Sequence, residues 1–176
     1  MMKKSLFALT LLLLFALNCL AQQDCQRHRE TEGGFSICKP DGWTVEESRG
    51  DKFKILFAPR SDAFTSNINF KEGTSAAPLT DYVAAEIKKL MSSIEQIGAT
   101  SIKVVSQSDF TTSSNLHGIK VVFSTEYKGF QFRQLQYVFD IGGSRKLVMT
   151  CTLLEKDQQQ LDPVFERAAK SFRLDN

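Results

Sequence analysis

The sequence predicts an α+β domain, an antiparallel sheet flanked by helices. Three observations carry that expectation. Short runs with period-two alternation fill the N-terminal third, four longer strand-like runs follow one another between Ile102 and Leu154, and two stretches place apolar residues three and four apart. Alternation at period two marks a strand with one buried face, whereas spacing of three and four marks one face of a helix.

Gly34 to Lys39 reads as a strand with Phe35 and Ile37 on one face, closed by the turn signal Pro40-Asp41-Gly42. Trp43 and Val45 restart the alternation. Phe53, Ile55 and Phe57 form the next set before Pro59, and Ile68 with Phe70 forms a shorter one. Leu79, Tyr82, Val83, Ile87, Leu90, Met91 and Ile94 then mark a helical face, with Thr80 as its predicted cap and Gly98 as its predicted stop.

Ile102 to Phe110, Ile119 to Tyr127, Phe130 to Ile141 and Lys146 to Leu154 are predicted as four consecutive strands. Ser113-Ser114-Asn115, Lys128-Gly129 and Gly142-Gly143-Ser144 supply hairpin turns between them, so the strands are antiparallel neighbours. In the third run the apolar phase changes from Phe130 and Phe132 to Leu135, Tyr137, Phe139 and Ile141, which predicts a bulge near Arg133. Leu161, Val164, Phe165, Ala168, Ala169 and Phe172 form the face of a closing helix, with Asp162-Pro163 as cap and first residue or with a start near Asp157. Val104 with Val105, Val121 with Val122, and Leu147 with Val148 put apolar side chains on both sheet faces. Two amphipathic helices are available to cover them.

Residues 1–21 have the layout of a secretory leader: Lys3 and Lys4, then an apolar run from Leu6 to Leu17 broken by Thr10, then Cys19-Leu20-Ala21. Two maturation routes follow. Cleavage after Ala21 leaves Gln22 as the N-terminus; alternatively residues 1–18 are a lipoprotein leader and Cys19 is lipidated, although Leu17 and Asn18 depart from the usual residues before such a cysteine. The expected product is periplasmic or extracellular in the first case and lipid-anchored to the envelope in the second. Membrane association is expected only through that lipid, since no stretch reaches the ~20 apolar residues of a transmembrane helix.

Removing residues 1–21 from 176 leaves 155, enough for one domain with a proper core. The expected organisation is an N-terminal segment at 22–33 and a single domain at 34–176. Without Lys3 and Lys4 the 22 basic residues become 20, equal to the 20 acidic ones, so nothing in the charge points to nucleic acid. In an oxidising compartment Cys25 and Cys38 close a short loop and are the candidate disulfide. Cys151 alternates with Leu147, Met149 and Leu153, as a buried small hydrophobe does.

The order of elements, together with Phe35-Ser36-Ile37-Cys38-Lys39-Pro40-Asp41-Gly42-Trp43, Asn67-Ile68-Asn69-Phe70 and Ala169-Lys170-Ser171-Phe172-Arg173, resembles the PsbP-like superfamily. That superfamily includes the extrinsic photosystem II protein and bacterial envelope proteins of the DcrB type. The resemblance implies a PsbP-like α-β-α sandwich at 34–176 and a non-enzymatic accessory or binding role. Its markers shape the fold and include no catalytic signature, and the bacterial layout of the leader points to an envelope rather than a thylakoid lumen.

No residue set is predicted to be catalytic or to hold a metal, and no cofactor is expected. His28 and His117 read as surface histidines; neither H-E-x-x-H nor paired C-x-x-C occurs, and no G-x-S-x-G elbow surrounds a serine. Met91 reads as buried packing beside Leu90. Two sets of polar residues remain as candidate binding surfaces. Asn67 and Asn69 share one side of a strand, opposite Ile68 and Phe70, and Arg133, Gln134 and Gln136 lie around the predicted bulge. The expected role is binding of another envelope component, with a protein partner first; a soluble small-molecule carrier is the alternative and a hydrolase the remote one.

Overall fold

The computed structural model of the chain describes residues 25–48, 50, 52–61, 63–93, 96 and 98–175. The leader, Cys19 and both maturation routes lie outside them, as does Ile94. In chain order the elements are β1 (Arg27–Glu30), β2 (Phe35–Cys38), β3 (Thr44–Glu46), β4 (Ile55–Phe57), β5 (Asn67–Thr74), α1 (Leu79–Ser92), β6 (Ala99–Thr111), β7 (His117–Tyr127), β8 (Phe130–Asp140), β9 (Arg145–Leu154), a 3-10 turn at Glu155–Asp157, α2 (Gln158–Lys170) and β10 (Arg173–Leu174). β3 to β9 form a seven-stranded sheet in the order β3-β4-β5-β9-β8-β7-β6, and β1, β2 and β10 form a small second sheet. Every pairing is antiparallel.

The four predicted strands are β6 to β9, and their turns are those expected. Asn115, Lys128, Gly129, Gly142 and Gly143 all have positive φ. Lys128 and Gly129 thus make a two-residue turn whose left-handed backbone matches the twist of the strands it joins.

Two cores lie on the two faces of the large sheet. On one face α2 and β2 pack Phe35, Phe165 and Phe172 over Ile68, Leu135, Tyr137 and Cys151. Stacked rings of Phe139 and Phe172, 4.5 Å apart, join the sheet to the end of α2. On the other face α1 lays Val83, Ile87 and Leu90 over Val121, Val138 and Val148. The result is an α-β-α sandwich in which the small sheet shares the α2 layer.

Several local expectations give way to tertiary contacts. Leu56, not Ile55 or Phe57, is the fully buried residue of β4, because its partner in register is the core residue Ile68. Val45 and Val105 are exposed; β6 is an edge strand, and a register shift between Val104 and Ser106 lifts Val105 out of the alternation. Met91 is exposed too, so the packed stripe of α1 is narrower than its apolar pattern. Pro78 occupies the cap position that was assigned to Thr80, with no side-chain capping bond. α2 takes the earlier start, leaving Pro163 inside the helix and Asp162 bonded to Arg133 rather than capping.

β8 has no bulge. Its register with both β7 and β9 is unbroken, and the bulges are in β6. Phe130 and Phe132 lie on the α1 side of β8 and Leu135, Tyr137 and Phe139 on the α2 side, so the phase change in the sequence records a change in which face is covered. Within the segment assigned to 22–33, Arg27–Glu30 pairs with β2, and Cys25 is joined to Cys38 by a disulfide with Cα atoms 5.4 Å apart.

Candidate functional site

Register alone assembles most of the candidate surface. Asn67 of β5 opposes Thr152 of β9, which opposes Gln134 of β8; one step along, Asn69 opposes Thr150, which opposes Gln136. Residues directly opposite on neighbouring strands point to the same face and stand about 4.5–5.5 Å apart at Cβ. The two sets of residues singled out in the sequence therefore merge into one grid, two rows deep and three strands wide, on the α1 side of the sheet. All six side chains are half-buried.

Little within the protein uses their polar groups. Asn67 donates to the Thr65 carbonyl at 3.3 Å and Asn69 donates to Asn67 Oδ1 at 3.4 Å. Among the described residues the side chains of Gln134, Gln136, Thr150 and Thr152 have no hydrogen-bond partner. Each carboxamide offers two donors and an acceptor oxygen, and each hydroxyl one donor and two acceptor lone pairs. A further hydroxyl, Thr125 Oγ1, is buried without a partner on the same face, opposite Phe132.

Apolar side chains frame the grid. Phe123 and Val121 continue its two rows on β7, and Val138 and Val148 form the next row up. Phe132 forms the row below, its ring meeting Phe64 edge-on at 5.0 Å. Asn69, Thr150 and Gln136 open into a cleft of about 270 Å³ between sheet and helix, roofed by Ile87, Leu90 and Ser93, with Lys71, Glu86 and Lys89 around it.

Arg133 is not part of the grid. It points to the α2 side, where its guanidinium, 12% exposed, grips the Asp162 carboxylate at 3.0 Å and lies 3.8 Å from Glu155. Side chains of successive strand residues face opposite ways, and that separates it from Gln134. Its role is to hold the start of α2 against β8.

No protein-family model matches the chain, and no curated protein matches it. Solved structures do. The solution structure of cyanobacterial PsbP (CyanoP) from Synechocystis sp. PCC 6803 superposes with a TM-score of 0.64 at 12% identity, over 85% of this chain and 91% of that one. This chain has the PsbP-like fold. LpqN of Mycobacterium tuberculosis, described as involved in cell envelope biogenesis, shares the fold with a TM-score of 0.56 at 12% identity, over 89% of this chain and 88% of that one. The Ran-binding protein Mog1p of Saccharomyces cerevisiae does so with a TM-score of 0.59 at 10% identity, over 87% and 96%.

A second, larger concavity of about 770 Å³ opens on the α2 side of this PsbP-like sandwich. Trp43, Leu161, Val164 and Ala168 form its base, Pro59 and Phe64 one wall, and the Cys25–Cys38 bridge one end. Lys39, Asp41, Asp157 and Arg167 place charges of both signs at its margin. Sequence reasoning missed this cleft, because its lining comes from three separate loops and a helix that only the tertiary fold brings together.

The reactive groups are engaged in structure. His28 is not a surface residue: its side chain is 11% exposed and its Nε2 lies 2.7 Å from Glu30 Oε1. His117 is exposed, 3.5 Å from Asp109. Ser36 donates to Asp175 at 2.7 Å and accepts from Arg27, with no histidine in the set. Burial pushes the Cys151 thiol up, away from the reactive thiolate. Burial would raise the Glu166 carboxyl, but hydrogen bonds from Lys120 at 2.6 Å and Tyr137 at 2.9 Å outweigh it and hold the group below its ordinary value. Among the described residues no group of three His, Cys, Asp or Glu could hold a metal, and no helix is long and apolar enough to cross a membrane.

Proposed function

We propose that this chain is a non-catalytic binding protein of a bacterial envelope, exported by its leader and recognising another envelope component through the α1 side of its sheet. The observation that carries this reading is the polar grid. Gln134, Gln136, Thr150 and Thr152, half-buried and without protein partners among the described residues, leave hydrogen-bonding capacity for water or a ligand, and here it is gathered on adjacent strands beside a cleft. The envelope role described for LpqN and the binding role in the name of Mog1p support a binding module on this fold. The leader of residues 1–21, or 1–18 with lipidation at Cys19, supplies the route out of the cytoplasm.

A benzophenone side chain placed at position 134 in the native host tests the reading. Irradiation is expected to give one recurrent adduct there and none at the exposed outer-face position Lys88. Equal labelling at both positions, or none at 134, would overturn it. A second reading, a soluble carrier, is favoured by the Trp43 cleft, whose volume is in the range of about 300–1,000 Å³ typical of small-molecule sites. Bound ligand released from the purified protein and displaced by bulk at Ala168 is its test.

A further inference from the structure

We infer that the two polar rows recognise a neutral polyhydroxylated ligand, a sugar ring of an oligosaccharide. This rests on the binding role proposed above and names the ligand class. The grid itself contains no ionisable group: its members are Asn67, Asn69, Gln134, Gln136, Thr150 and Thr152. The charges bordering the adjoining cleft, Lys71 and Lys89 against Glu86, are of both signs. An ionic ligand entering there would shed water without gaining a fixed countercharge in the grid, which costs free energy. A ligand rich in hydroxyl groups loses less, because every hydroxyl both donates and accepts and so matches carboxamides and threonines in either orientation.

The surroundings fit the other half of a sugar. A pyranose has polar edges and apolar C–H faces, and the grid is bordered by Phe132 on one side and by Val121, Val138 and Leu90 on the other. The cleft of about 270 Å³ falls just below the range of drug-sized pockets, so it admits one small ring while the row of Asn67, Thr152 and Gln134 is left for the next.

The test uses the exported chain, ¹⁵N-labelled in its host, titrated with maltotriose, with N,N′,N″-triacetylchitotriose and with the uncharged peptide acetyl-tetraglycine-amide. At least one trisaccharide is expected to move the side-chain amide resonances of Gln134 and Gln136. Gln136→Leu and Thr150→Val, which keep shape and remove hydrogen-bonding groups, are each expected to weaken that binding about tenfold while the urea midpoint holds or rises. Arg167→Ala, in the other cleft, is expected to leave it unchanged. Shifts with the peptide alone, shifts confined to the Trp43 cleft, or binding indifferent to both variants would overturn the saccharide assignment and leave the binding role standing. Absence of any shift together with absence of an adduct at position 134 would overturn both.

Discussion

Lys146 and Asp140 form an ion pair between unequal partners: Nζ lies 2.9 Å from Oδ2, the lysine side chain is 2% exposed and the aspartate 47%. The two residues are also directly opposite in the β8–β9 register, so the hairpin closed by Gly142 and Gly143 fixes their approach. The hydrogen bond from Lys146 holds the Asp140 carboxyl below its ordinary value. A depressed carboxyl contributes stability above its unfolded pKa and loses it as pH falls through the folded value. Asp140→Asn should therefore flatten the acid limb of the stability profile.

The same pair predicts an asymmetry between its two single variants. Asp140→Asn leaves a buried ammonium without its carboxylate and is expected to cost about 1–3 kcal/mol. Lys146→Met leaves a carboxylate that water already reaches and fills the same space, so its cost is expected to stay under about 1.5 kcal/mol. Urea denaturation of both variants at neutral pH checks the order.

Glu166 gives a second pH-linked prediction. Tyr137 is fully buried, and burial pushes its phenol up, so its hydroxyl remains a donor throughout the accessible pH range. Tyr137→Phe removes one of the two hydrogen bonds that hold Glu166 ionised and should raise the Glu166 pKa, moving the pH at which this stability is lost upward. The expected cost at neutral pH is about 1–2 kcal/mol, low for a charged bond because Glu166 is over a third exposed. Denaturant midpoints measured between pH 3 and 7 test both parts.

What the sequence showed and concealed follows from the range of the interactions involved. β6 to β9 were legible because turn chemistry at Lys128-Gly129 and Gly142-Gly143 is local and agrees with the alternation around it. β1 was not, since Arg27-His28-Arg29-Glu30 has no apolar alternation and is a strand only because β2 lies beside it. The grid was legible in fragments. Period two put Asn67 with Asn69 on a common face, and Gln134 and Gln136 were singled out only as neighbours of an expected bulge; the meeting of the two sets needs Thr150 and Thr152 in register between them. Nothing in a single strand announces such a pairing. Arg133 was grouped with Gln134 only through a bulge that the unbroken register of β8 excludes.

The Cys25–Cys38 bridge closes a separation of 13 residues and ties the start of β1 to the end of β2. β1 is four residues long and lies at the edge of a three-stranded sheet, with the partly buried Arg27 guanidinium reaching Ser36 and the Ser171 carbonyl. Besides the covalent link, its pairing with β2 and the Arg29–Asp175 ion pair at 3.1 Å hold it. Replacing both cysteines by serine is expected to cost about 2–4 kcal/mol, and reduction of the native chain should lower its urea midpoint to nearly the same value. A midpoint unchanged by reduction would mean that the noncovalent contacts of β1 hold it without the bridge.

Trp43 follows the Pro40-Asp41-Gly42 turn, where the chain passes from the small sheet to the large one, and Gly42 has a φ of +77°. The indole is 5% exposed and meets the Phe165 ring edge-on at 5.7 Å, so it joins the crossing turn to the middle of α2. It also forms part of the base of the larger cleft. Trp43→Ala is expected to destabilise the domain by about 3–5 kcal/mol, as large-to-small changes of a buried aromatic do. Trp43→Phe should cost less because it keeps a ring against Phe165. A near-neutral result for the alanine variant in urea denaturation would refute the packing role and leave Trp43 as a wall of the cleft only.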